Sequence, residues 1–202
     1  RFMQLCAGRI SQLINYESLA NEVGVSGPTI KKWIGLLEAT YIAFNLPPYW
    51  RNISKRVVKS PKFYFYDVGL ACYFLGVRSS DQLLAHPLRG ALFENLVVSE
   101  CLKQLYNVGL DNRLLFFRDS AGNEVDIVVD LGVSPILIEV KASQTLTKAF
   151  TKGFKAVEKA GITPSSKILV YEGEKKGKAF DFEATDVYSL EKTIRKLIGN
   201  LP

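Results

Sequence analysis

Asp126, Glu139 and Lys141 are the residues through which this sequence could do chemistry. They lie in two alternating stretches, Glu-Val-Asp-Ile-Val-Val-Asp over 124–130 and Ile-Leu-Ile-Glu-Val-Lys over 136–141. In a half-buried strand successive side chains point to opposite faces, so Asp126, Val128 and Asp130 share one face, and Leu137, Glu139 and Lys141 share one face of the other stretch. The intervening Leu131-Gly132-Val133-Ser134-Pro135 is a turn by composition. Pairing as a hairpin with Asp130 opposite Pro135 puts Asp126 directly opposite Glu139, with Lys141 two residues along the same face. Two carboxylates that close repel one another unless a cation sits between them, and hard oxygen donors with no His or Cys nearby suit Mg²⁺ or Mn²⁺. A neighbouring lysine can hold an attacking water or stabilise charge developing on a phosphate. Any one of these acids alone reads as well as part of a surface ion pair on an edge strand; the joint pattern is what favours a site.

A further acid falls in a helix-like run over 88–106. Helical spacing aligns Glu94 with Val98, Cys101 and Leu105, which sets its carboxylate in an apolar stripe. An unpaired carboxylate is costly to bury, so a cation or hydrogen-bond donors should await it, unless it is a helix-end glutamate reaching solvent.

The order of a helical Glu94, then Glu-x-Asp, then Glu-x-Lys resembles the PD-(D/E)XK phosphodiesterase superfamily. That resemblance implies a restriction-endonuclease-like α/β fold, with Glu94 as an accessory metal carboxylate, Asp126 and Glu139 as central metal ligands and Lys141 as the catalytic lysine. Val125 stands where many members carry proline.

Other chemistries are poorly supplied. His86 is the only histidine, which argues against Ser-His-Asp, Cys-His and His-ligated zinc enzymes. Cys6, Cys72 and Cys101 are scattered, giving neither a disulfide framework nor a zinc spacing. No Gly-x4-Gly-Lys-Ser/Thr loop or Gly-x-Gly-x-x-Gly is present, so no nucleotide-binding residues are expected in this stretch. There is no apolar run of membrane-spanning length and no leader pattern, so a soluble, cytoplasmic protein without membrane contact is expected. The first residue is Arg1, which suggests a piece of a longer chain.

The elements that must position these residues follow from pattern. Over 16–37 the sequence reads helix, tight turn, helix: Ser26 is a good N-cap, Pro28 suits a first turn, and Ile30, Trp33, Ile34 and Leu37 form an apolar face. Thr29, Lys31 and Lys32 are left outward. Strands over 41–46 and 62–66 could supply a wing, and the whole resembles a winged helix-turn-helix, whose second helix would enter the major groove of DNA. Arg51, Lys55, Arg56, Lys59 and Lys62, interleaved with Tyr49 and Trp50, suit phosphate contact or a solvated basic loop. Residues 1–80 hold 10 Lys+Arg against 4 Asp+Glu, so the whole net charge of +6 lies there. That excess favours an anionic polymer as partner. A boundary near residue 80 divides a winged-helix module (1–80) from a nuclease-like domain (81–202).

In the second part the expected order is helix (88–106), strand (114–118), hairpin, helix (145–160), strand (167–171), charged loop (172–178), short strands and helix (190–198). The class is therefore mixed α/β. On the helix after the hairpin, Lys148, Lys152, Lys155 and Lys159 line one face; such a run is either a solvated face or a phosphate-tracking stripe.

The ordered set Val23-Gly24-Val25-Ser26, Leu46-Pro47-Pro48-Tyr49, 61–70 (Pro-Lys-Phe-Tyr-Phe-Tyr-Asp-Val-Gly-Leu), Gly90-Ala91-Leu92-Phe93-Glu94, Phe117-Arg118-Asp119 and Glu124-Val125-Asp126 resembles the C-terminal region of prokaryotic AAA-type ATPases carrying the domain of unknown function 4143 (DUF4143). The resemblance implies an upstream ATPase domain of the same polypeptide as a partner, with ATP bound there and not here. Two functions fit these residues. One is a Mg²⁺- or Mn²⁺-dependent nuclease acting on DNA. The other is a non-catalytic, degenerate nuclease fold that recruits DNA or protein for the ATPase. Self-association into homo-oligomers is open.

Overall fold

The computed structural model describes residues 1–49, 58–110 and 113–199. They divide into two units, residues 1–47 with 60–99 and the described part of 48–59 with 100–199.

The first unit begins with helices α1 (Phe2–Ala7), α2 (Tyr16–Val23) and α3 (Gly27–Ala39). The Asn15 side chain accepts the Ser18 N–H at 3.0 Å and so caps α2. Gly24 ends that helix in the left-handed region, at φ 88°, and donates its N–H to the Ala20 carbonyl. Ser26 caps α3 through the Thr29 N–H, and Pro28 occupies its first turn, as the sequence predicts. The buried side of α3 carries Ile30 and Ile34, while Trp33 packs edge-on against Phe2 with ring centres 5.1 Å apart.

Strands β1 (Ala43–Leu46) and β2 (Lys62–Phe65) then pair antiparallel, Ala43 opposite Phe65. Asp67 caps α4 (Val68–Phe74) and Ser79 caps α5 (Ser80–Ala85). Helix α6 (Arg89–Asn107) gives residues 89–99 to this unit. Its buried Asn95 satisfies both main-chain groups of Phe65, accepting from N at 2.7 Å and donating to O at 2.9 Å. Ile10, Leu19, Ile30, Ile34, Phe63, Phe65 and Leu92 form the core.

The second unit is built on a six-stranded sheet of β3 (Leu114–Arg118), β4 (Glu124–Val129), β5 (Ile136–Lys141), β6 (Ser166–Tyr171), β7 (Gly177–Ala179) and β8 (Phe182–Thr185), in the order β3-β4-β5-β6-β8-β7. The β3-β4-β5 arm is antiparallel, β5-β6-β8 is parallel, and β7 closes the far edge antiparallel to β8. Parallel pairing of β5 with β6 requires a crossover. A 3₁₀ turn (Lys148–Thr151) running into α7 (Lys152–Lys159) supplies it. Phe154 and Val157 of α7 pack with Val128, Leu137 and Leu169, which lays the helix over one face of β4, β5 and β6. Helix α8 (Leu190–Ile198) buries Leu190, Ile194 and Ile198, one side chain per turn.

The mixed α/β class is the one the sequence implies. The helix expected over 145–160 is shorter, because Ser143 turns the chain instead: its Oγ accepts the Thr145 N–H, and α-helical bonding starts only at Lys152. Among the described residues no helix is long and apolar enough to cross a membrane.

Candidate active site

The β4–β5 hairpin sets the site. Main-chain pairing joins Val129 with Ile136, Val128 with Leu137 and Ile127 with Ile138. The next step of that register puts Asp126 across from Glu139, the pairing that follows from setting Asp130 opposite Pro135. There the Asp126 carboxylate, rather than a carbonyl, accepts the Val140 N–H, with Oδ2 at 2.8 Å. Asp126 is 6% exposed and Glu139 4%. Lys141 reaches back to both, its Nζ 3.0 Å from Glu139 Oε2 and 3.6 Å from Asp126 Oδ2, with about a third of its side chain open to solvent.

These three side chains floor a cavity of about 270 Å³. One rim is the β3–β4 turn, which contributes Gly122 and Asn123; the other is α7, with Lys152 and Gly153. Asp119 holds the turn in shape: its carboxylate accepts from the main-chain N–H of Ala121 and Asn123 and from the Asn123 amide. Burial works to raise the Asp119 pKa, but these donors outweigh it and hold the group below the usual carboxylate range. Gly153 is equally constrained. An ideal Cβ there would overlap the Glu124 carbonyl oxygen and Glu139 Oε1, so the helix backbone lies directly against the Glu139 carboxylate. A larger cavity, about 790 Å³, is lined by Gln144, Tyr171, Lys175 and Phe180, but its acids, Glu172 and Glu174, are not buried. The smaller one is where the chemistry converges.

Burial pushes the Glu139 carboxyl well above its usual value, the adjacent Asp126 charge raises it further, and Lys141 pulls it back only in part. Two buried acids thus stand side by side against an ammonium group that is about a third exposed. Their donors are all oxygens, they open onto a cavity, and no His or Cys is among the lining residues. That donor set fits Mg²⁺ or Mn²⁺.

The remaining residues singled out by the sequence fall as follows. Glu94, on α6 in the first unit, has the donors its apolar stripe demands: Lys62 Nζ at 2.8 Å and the Tyr64 hydroxyl at 2.6 Å, both to Oε1. Lys62 is consequently 2% exposed, which corrects its reading as a basic residue offered to phosphate. Charge alone could not reveal this, because its partner lies 32 residues away. Lys31 and Lys32 are exposed on α3, whereas Thr29 is half-buried with its hydroxyl 2.8 Å from Ser26 Oγ. Arg51, Lys55 and Arg56 lie outside the described residues. Gly153 and Asn123 escape a sequence reading, since nothing in their spacing ties them to the acids. Lys152 is signalled only as one lysine of a helical stripe.

Fold and site together define a mixed-sheet α/β unit with two buried acids and a lysine on neighbouring strands. The chain belongs to the family described as a domain of unknown function (DUF4143), whose model matches residues 89–191. A second domain of unknown function (DUF8612) matches residues 1–81. Uncharacterised proteins of Mycobacterium bovis and Mycobacterium tuberculosis are each 31% identical over 134 residues, which cover 66% of this chain and 30% of theirs. The chain thus spans less than a third of the length of these relatives.

Proposed function

We propose that the second unit is a metal-dependent phosphodiesterase of PD-(D/E)XK type that cleaves DNA, and that the chain is the DNA-associated part of an AAA-type ATPase. The observation that carries this reading is the convergence of Asp126, Glu139 and Lys141 at one end of the β4–β5 hairpin. Asp126 and Glu139 would hold Mg²⁺ or Mn²⁺, which supplies charge neutralisation on the phosphate and a more acidic water. Asp126 is oriented for this by the Val140 N–H, and Glu139 by the close backbone of Gly153. Lys141, beside both acids and about a third exposed, would align the attacking water and face the charge that develops on the non-bridging oxygens. The water oxygen bonds to phosphorus as one of its protons passes to solvent through the open side of the cavity, the P–O bond to the leaving nucleoside breaks, and the leaving oxygen takes up a proton from solvent by the same route.

In the same reading the first unit is a winged helix-turn-helix, with α3 presenting Thr29, Lys31 and Lys32 to the major groove, and Arg51, Lys55 and Arg56 on phosphates. ATP would be bound by a separate domain of the longer polypeptide. The length of the relatives leaves room for one.

A second reading rests on two distances. Lys141 is already within ion-pairing range of both acids, and a site closed by its own lysine suits a degenerate nuclease fold that serves as an interaction module. Cleavage of single-stranded, duplex and branched DNA in Mg²⁺ or Mn²⁺ separates the two. The phosphodiesterase reading expects activity that is abolished in Asp126→Ala and falls on the order of 10²-fold or more in Lys141→Ala. Activity that survives both substitutions, or is absent from every form including the full-length ATPase, overturns it.

A further inference from the structure

Lys152, Lys155 and Lys159 occur at steps of three and four on α7, and Lys148 stands one turn earlier. All four are exposed, and none makes an ion pair among the described residues. The buried side of the same helix carries Phe154 and Val157, so its orientation is fixed by the core and the lysines are held outward. Acids close by are committed elsewhere: Glu158, on α7 itself, and Asp181, at the β7–β8 turn, both bind Lys167, at 2.9 and 2.8 Å. Asp119 is engaged by its own turn. Asp119 and Asp181 also lie close enough to Lys152 and Lys155 to feel their charge, so the nearby acids offset the four ammonium groups of the stripe only in part.

The stripe is also continuous with the site. Lys152 belongs to it and at the same time lines the cavity that holds Asp126, Glu139 and Lys141. From Lys152 to Lys159 the helix rises about 10 Å, the length of about three phosphates along one strand of duplex DNA.

We infer that the Lys152–Lys155–Lys159 face of α7 is the docking surface for the phosphate backbone of the DNA strand whose next phosphate enters the Asp126–Glu139–Lys141 cavity. This rests on the phosphodiesterase reading for its direction. A sugar-phosphate strand suits the surface better than an acidic peptide does, because evenly spaced charges on a stiff backbone match ammonium groups fixed at intervals of one helical turn.

The test uses the whole chain, with EDTA for binding and Mg²⁺ for cleavage. Lys155→Ala with Lys159→Ala removes two charges without touching the cavity. Lys192→Ala with Lys196→Ala removes two exposed charges from α8 of the same unit, as a matched control. Fluorescence anisotropy of a labelled 20-base-pair duplex, titrated across salt concentrations, should show the slope of log Kd against log salt falling by about 1.8 in the α7 variant. Its affinity near 0.1 M salt should drop tenfold or more, with thermal unfolding unchanged and the α8 variant like wild type. In cleavage, KM should rise with kcat retained.

Equal losses in the two double variants, or an unchanged slope in the α7 variant, would overturn the inference. So would tighter binding of polyglutamate than of DNA at the same lysines. An α7 variant that loses DNA while no form cleaves keeps the docking surface and removes the phosphodiesterase reading instead. Cleavage that needs Asp126 but ignores Lys155 and Lys159 does the opposite.

Discussion

Replacing Gly153 by alanine adds one methyl group at the second position of α7, where two opposite effects can be weighed. In an exposed helix interior, alanine is favoured over glycine by about 1 kcal/mol. Gly35 of α3 offers that ordinary case: it is exposed, and an added Cβ meets nothing within 4 Å. At Gly153 the same methyl would overlap a main-chain oxygen of β4, which the sheet holds in place, and the Glu139 carboxylate. Overpacking of this kind costs about 1–3 kcal/mol, so the net expectation is a loss of about 0–2 kcal/mol where Gly35→Ala gains about 1. For a chain of this size each kcal/mol moves the midpoint by about 2–4 °C. Thermal unfolding of both variants, followed by Mn²⁺ titration of Gly153→Ala by calorimetry, reads the two consequences. Gly153→Ala should unfold lower than Gly35→Ala and bind Mn²⁺ more weakly than wild type, because Glu139 must swing aside. A Gly153→Ala protein stabilised as much as Gly35→Ala, with Mn²⁺ binding intact, would refute the claim that the helix backbone positions Glu139.

Breaking the buried Lys62–Glu94 pair from one side, as Lys62→Ala, should cost about 3–5 kcal/mol, whereas Lys62→Met with Glu94→Leu should be far milder; chemical denaturation of both decides it. Burial raises all three thiols, Cys6 to about 12, but only Cys72 is partly open to solvent, so at pH 8 a disulfide reagent should label Cys72 alone in the native protein, and all three on unfolding. The Lys167 hydrogen bond, against the opposing effect of burial, holds the Asp181 carboxyl below its ordinary value. Its stabilisation is therefore present above the unfolded pKa and lost as pH falls through the folded one. Asp181→Asn should lower the neutral-pH midpoint and flatten its decline below pH 4, where an unchanged acid limb would count against the pair.

The hairpin was legible because its determinants are local. A Gly- and Pro-containing turn between two alternating strands leaves few registers that keep Val128 and Leu137 inward, and the same parity brings Asp126 opposite Glu139. Helix α3 was legible through its Ser26 cap and spaced apolar residues and α6 through its apolar stripe, while α2 and α8 fall within runs that read as helix. By contrast, α1, α4 and α5 have six or seven residues each, too few for a periodic pattern to stand out. The late start of the helix expected over 145–160 turned on one serine hydroxyl competing with the main chain. What the sequence could not disclose was long-range: that Lys62 is buried against Glu94, and that Gly153 touches an oxygen of β4. Lys62 illustrates the difficulty best, since a lysine flanked by other basic residues looks solvent-facing until its partner is placed.

On the proposed reading Asp126 and Glu139 hold a divalent cation for phosphodiester hydrolysis. Anomalous scattering from crystals soaked in Mn²⁺ tests it most directly. A peak is expected between the two carboxylates, within bonding reach of both, with Lys141 withdrawn from Glu139 and no peak in Asp126→Ala crystals. Crystals that show Mn²⁺ elsewhere or nowhere, with Lys141 still paired to both acids, would contradict it.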